Sequence, residues 1–103
     1  MLGRGRFGDL VRTQLDLFAS DEASLLAEAE AADSMWTHAD AEQSEERYGD
    51  YQLVVDAIAD RLYEIRESYA ATLDSRVADD YREAFNRGAA KRYPRYASFL
   101  EDD

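Results

Sequence analysis

Residues 51–73, YQLVVDAIADRLYEIRESYAATL, decide the fold. Tyr51, Val55, Ile58, Leu62, Ile65 and Tyr69 follow one another in steps of four and three, and Leu73 continues the same side. An α-helix brings every third or fourth residue to one face, so this spacing is an apolar helical stripe. No proline interrupts it, and β-branched residues do not alternate with polar ones as a strand requires. With Asp50 as its cap, the spacing predicts a helix over residues 50–73, about 36 Å long at about 1.5 Å per residue. A compact chain of this length has a radius of gyration of only about 13 Å. The helix is as long as such a globule is wide, which implies an elongated molecule or pairing with a second copy.

The flanking segments read as helices too. Phe7, Leu10, Val11, Gln14, Leu17 and Phe18 mark one over residues 6–18, with Leu15 widening the stripe. Ser20 is a suitable cap for a second, over residues 21–47, and Asp21 and Glu22 suit its first turn. Leu25, Leu26, Ala29, Ala32, Trp36 and Ala39 form its inner face. From Asp40 to Arg47 that helix would be polar all round and project into solvent. Gly49 offers a left-handed helix end, so the break before the third helix is expected at Tyr48-Gly49-Asp50-Tyr51. Passage of one helix through Gly49 costs only about 1 kcal/mol relative to alanine, so continuity is the open alternative. Asp74 or Ser75 caps a fourth helix over residues 75–92, which Pro94 terminates. Tyr96, Phe99 and Leu100 then form an apolar tail that needs something to pack on. The fold class expected is all-α: an antiparallel four-helix arrangement, as helical hairpins or a bundle, in one domain spanning residues 1–103 with flexible ends at 1–5 and 101–103.

The chain has 103 residues, a formal net charge of −11 and 46% apolar residues, enough to bury a core. Without cysteine there are no disulfides, thiolate metal sites or thiol nucleophiles. No apolar run approaches the roughly 20 residues of a membrane span. Arg4 and Arg6 are followed by Asp9 and Arg12, not by the apolar core of a signal peptide, so a cytoplasmic protein is expected. The charge is segregated. Residues 13–60 hold thirteen acids against Arg47 alone, whereas residues 87–98 hold Arg87, Lys91, Arg92 and Arg95 with no acid. The long acidic middle disfavours nucleic acid as a partner, because it repels phosphate. Lys91 and Arg92 also suit the last turn of a helix, where the backbone dipole favours cations.

Motifs for chemistry are missing or incomplete. His38 and Glu42 are four apart and would share a helix face, but the Glu-x-x-His signature of di-metal bundles is absent, since Met35 precedes His38 by three. Glu42, Glu45, Glu46 and Asp50 lack the alternating donors and glycine turn of a calcium loop. Asp79 and Asp80 are adjacent, so on a helix they diverge by about 100° and do not form a catalytic pair. No serine sits in a Gly-x-Ser-x-Gly elbow. Gly3, Gly5 and Gly8 have dinucleotide-loop spacing, but no strand precedes them. Nothing calls for a cofactor, and the chain is expected not to be an enzyme.

Trp36 with Gly49-Asp50-Tyr51 is similar to part of a tetratricopeptide unit over roughly 25 residues. Val54 and Arg61 stand where that unit has small residues, and no repeat of about 34 residues is visible. The resemblance implies a helical hairpin turning at Gly49 and nothing more.

Seven tyrosines and four phenylalanines exceed what the inner faces need. Tyr63 lies off the main stripe, and Tyr93, Tyr96 and Phe99 alternate with Arg92 and Arg95. Tyrosine and arginine are enriched at interface hot spots, so Arg87, Lys91, Arg92, Tyr93, Arg95, Tyr96, Phe99 and Tyr63 are the candidate interaction residues. Two arrangements are open: a surface patch, or aromatics folded onto the bundle end with arginines stacked over them. The function expected is a non-enzymatic interaction or scaffold module that self-associates, a dimer being the simplest form, with a heterologous protein partner also possible. The alternatives are a nucleic-acid-associated protein using the two basic ends, and a metal-binding helical bundle. A membrane anchor built on the first helix would lack the lysines that such a helix carries on its polar face.

Overall fold

The computed structural model describes residues 6–97 and residue 100. The protein is all-α, with helices α1 (Gly8–Asp21), α2 (Ala23–Thr37), α3 (Ser44–Ala70) and α4 (Ser75–Arg92). No strand occurs among the described residues. The molecule measures 51 × 24 × 24 Å with a radius of gyration of 15.6 Å, so it is elongated as the third helix demands. The ends 1–5 and 101–103 lie outside the described residues.

The chain makes three passes along the long axis. Only Glu22 separates α1 from α2, and backbone bonds step across it: the Glu22 amide donates to the Phe18 carbonyl (2.8 Å) and the Leu26 amide to the Glu22 carbonyl (3.0 Å). Ser20 therefore lies inside α1 and caps nothing. Helix α3 runs back against α2: Glu22 meets Arg61 near one end of the contact and Trp36 meets Tyr51 near the other. Helix α4 turns again, placing Tyr81 on Tyr69 and Arg82 on Glu67. It then runs parallel to α1, from Tyr81 beside Phe7 to Arg92 beside Asp16.

Several helix boundaries differ from the sequence expectation, α1 running over Gly8–Asp21 rather than 6–18. Helix α2 ends at Thr37 rather than at 47, and the turn falls at His38–Gln43. Helix α3 passes through Gly49 without a break, and no described glycine has a positive φ, so Gly49 is not a left-handed helix end. The polar residues read as a solvated helix face instead build the turn. The His38 ring Nδ1–H donates to the Ser34 carbonyl (2.8 Å), and the Asp40 carboxylate accepts the Gln43 amide (3.0 Å). The turn must fall there because the Trp36 ring packs on Tyr48 (4.7 Å) and stacks on Tyr51 (5.4 Å), which requires both tyrosines on the returning helix. At the other end α3 stops at Ala70, not at 73. Asp74 caps α4 as expected, accepting the Val77 amide at 3.1 Å.

The core sits where the three passes meet. Val11, Leu15 and Phe18 of α1, Ile58 and Leu62 of α3, and Tyr81 and Phe85 of α4 are buried together. Burial of each such side chain removes apolar surface worth about 1.5–3 kcal/mol. Gly88 sets the spacing of α1 and α4: a Cβ there would lie 2.8 Å from Val11 Cγ1. Tyr96, Ala97 and Leu100 close over this core, which is the packing the apolar tail needed.

Candidate functional site

The described surface carries a basic-rimmed groove of about 450 Å³ between α1 and α4. Val11, Leu15, Ala84 and Gly88 line its floor, and Arg12, Arg87, Lys91 and Arg92 its rim. The close approach of the two helices at Gly88 leaves the floor shallow and apolar. Two of the rim cations are satisfied within the chain: Arg12 pairs with Asp9 (2.9 Å) and Arg92 with Asp16 (2.9 Å). Arg87 and Lys91 are exposed, four apart on one helix face, and have no ion-pair partner among the described residues. Lys91 and Arg92 stand in the last turn of α4, at the negative end of its dipole. Sequence reading placed Arg87, Lys91 and Arg92 together but missed Arg12. Nothing in a single sequence reports that α1 lies parallel to α4.

The other candidate residues do not join this groove floor. Tyr96 is buried at 4% exposure, and its hydroxyl has no hydrogen-bond partner among the described residues. Burial raises its pKa. Tyr93 meets Phe18 edge-on (5.5 Å) and stacks on Tyr96 (6.3 Å). Arg95 lies over the Tyr96 ring (5.4 Å) and bonds Asp33 (2.7 Å) and Glu30 (3.1 Å) of α2. Of the two arrangements that the sequence left open, Tyr93, Tyr96 and Arg95 adopt the folded-back one. Tyr63 is on α3, half exposed, with the Arg66 guanidinium over its ring at 5.0 Å. Phe99 lies outside the described residues.

A second polar cluster joins α3 to α4. Arg66 is buried at 3% exposure and donates to Glu67 (2.8 Å) and to the Asn86 side-chain oxygen (3.0 Å). Arg82 grips both oxygens of Glu67, each at 2.9 Å. This two-point hydrogen bond, aided by Arg66 and opposed by partial burial, holds the Glu67 carboxyl below its ordinary pKa. The cluster joins α3 to α4 by charge-assisted bonds of fixed geometry.

The shared helix face expected of His38 and Glu42 does not form, because both residues lie in the turn between α2 and α3. No group of three or more His, Asp or Glu is placed to hold a metal ion among the described residues. No described helix is long and apolar enough to cross a membrane. No protein-family model, curated protein or solved structure matches this chain.

Proposed function

We propose that this protein is a non-enzymatic helical interaction module that pairs with a second copy of itself. The observation that supports this most is the groove between α1 and α4: an apolar floor rimmed by cations, two of them without an ion-pair partner among the described residues, on a chain of net charge −11. A basic-rimmed apolar surface favours an acidic partner bearing an apolar side chain, and the chain itself presents abundant acid. Exposed Leu17, Met35, Tyr48 and Leu53 add apolar surface that the folded chain leaves in water. Single exposed apolar residues are ordinary, so they support the reading only together with the groove.

The test is molar mass by light scattering behind a sizing column, at low and high salt. Twice the chain mass at low salt, falling toward one chain as salt rises, is expected, because exposed charges are screened within about 10 Å at 0.1 M salt. A single-chain mass at every concentration and salt rejects self-association and directs the search to a different acidic protein. Salt-dependent retention on nucleic acid would favour the alternative of phosphate binding by the basic residues.

A further inference from the structure

We infer that the occupant of the α1–α4 groove is the outer face of α3 in a second copy, with Leu53 seated on the groove floor. This rests on the self-association proposed above and names its two surfaces. Leu53 is 70% exposed, the highest value among the large apolar side chains of the described residues. At the 100° step of a helix, Glu46, Gly49, Asp56 and Asp60 share its face, opposite the Val55–Ile58–Leu62 stripe that faces the core. All four are exposed.

Two features of this ridge are not explained by contacts among the described residues, although Glu46 also suits the first turn of α3. Gly49 lies in the second turn of a 27-residue helix, where glycine is the poorest residue after proline. A Cβ built there meets nothing within 4 Å, so no contact among the described residues requires its absence. One turn before Leu53, it leaves a flat spot on which another helix can lie close. The second feature is charge. Glu46 and Asp60 have no ion-pair partner among the described residues, just as Arg87 and Lys91 have none at the groove rim. Acid beside an apolar knob on one surface matches base beside an apolar floor on the other. Two copies related by a twofold axis form the contact twice, each giving one groove and one ridge.

Charge exchange tests this pairing. One variant carries Arg87→Glu and Lys91→Glu, so groove and ridge are both acidic. The other carries Asp56→Lys and Asp60→Lys, so both are basic. All four positions are exposed, and unchanged helical circular dichroism confirms that each variant folds. Each alone should scatter as one chain, and an equimolar mixture should recover the wild-type mass, since both contacts are then matched. Leu53→Ala should weaken association by about a hundredfold, because a twofold pair loses two buried leucine side chains at about tenfold each. If the wild type associates but the mixture stays at one chain, or if either variant alone keeps the wild-type mass, the pairing is overturned while self-association through another face survives. If the wild type itself is a single chain, both proposals fail.

Discussion

Two side chains carry opposite messages about pH. Glu67 is held ionised by the two-point grip of Arg82, and its pKa lies below the ordinary 4.5. A depressed carboxylate contributes stability that is complete above the unfolded value and is lost as pH falls through the folded one. Glu67→Gln should therefore lower the urea midpoint at neutral pH and flatten its decline below pH 4.5, the two curves converging in acid. Tyr81 works at the alkaline end. It is fully buried, and its hydroxyl donates to Gln14 at 2.7 Å. Burial pushes its pKa from 10.0 up to about 12. Between those values the unfolded chain has lost a proton that the folded chain retains, so stability falls as pH rises. Tyr81→Phe should remove that alkaline decline. At neutral pH it should cost about 1 kcal/mol for the lost hydrogen bond to Gln14. Urea midpoints from neutral pH through the alkaline range measure both effects.

Two glycines show how differently helices use the same residue. Gly88 stands where α1 and α4 touch, and the neighbour that an added Cβ would strike is Val11, a buried β-branched side chain with little freedom to turn away. Gly88→Ala should destabilise by about 1–3 kcal/mol through overpacking. Gly49 faces open space, so Gly49→Ala should stabilise the single chain by about 1 kcal/mol from helix propensity alone. Because the inferred ridge needs that flat spot, the same change should weaken association. Denaturation and light scattering on one variant should then move in opposite directions. Gly49 also shows where the sequence was legible and where it was not. The α3 stripe from Tyr51 to Tyr69 and the Asp74 cap of α4 are local patterns, and both stand in the structure. The turn at His38–Gln43 was not legible, because its position is set by Trp36 reaching Tyr48 and Tyr51, a contact between helices. Local chemistry pointed to the glycine, whereas the chain turns at the residues that let those rings meet. The groove was half legible for the same reason: Arg87, Lys91 and Arg92 share one helix, while Arg12 joins them only through the packing of α1 on α4.

Over the whole molecule, packing is unevenly distributed along the 51 Å axis. At one end α1, α3, α4 and the tail residues Tyr96, Ala97 and Leu100 enclose the large buried side chains. Toward the other end, the ion pairs of Arg95 with Glu30 and Asp33 tie the C-terminal segment to α2. Beyond them, the ring contacts and hydrogen bonds among described residues 34–50 stay within α2, α3 and their turn. A two-helix hairpin has only one buried seam, so the tip should open at lower free energy than the bundle. Hydrogen exchange should show this at a concentration where one chain is the scattering mass. Amides of residues 48–50, past the first turn of α3, should exchange faster than those of residues 58–70 in the same helix. Trp36→Ala should widen the gap, because it removes the ring that joins Tyr48 to Tyr51 and touches nothing in the main core. Phe85→Ala should cost about 3–5 kcal/mol and speed exchange at residues 58–70 while the tip, which opens on its own, keeps its rate, since the change empties a site in the main core. Equal protection along α3, unchanged by Trp36→Ala, would mean that tip and bundle unfold as one unit. In the assembled state the prediction reverses at one place. With Leu53 and its neighbours covered by a second copy, exchange at residues 49–60 should slow as concentration rises, while the Trp36 side of the tip keeps its rate.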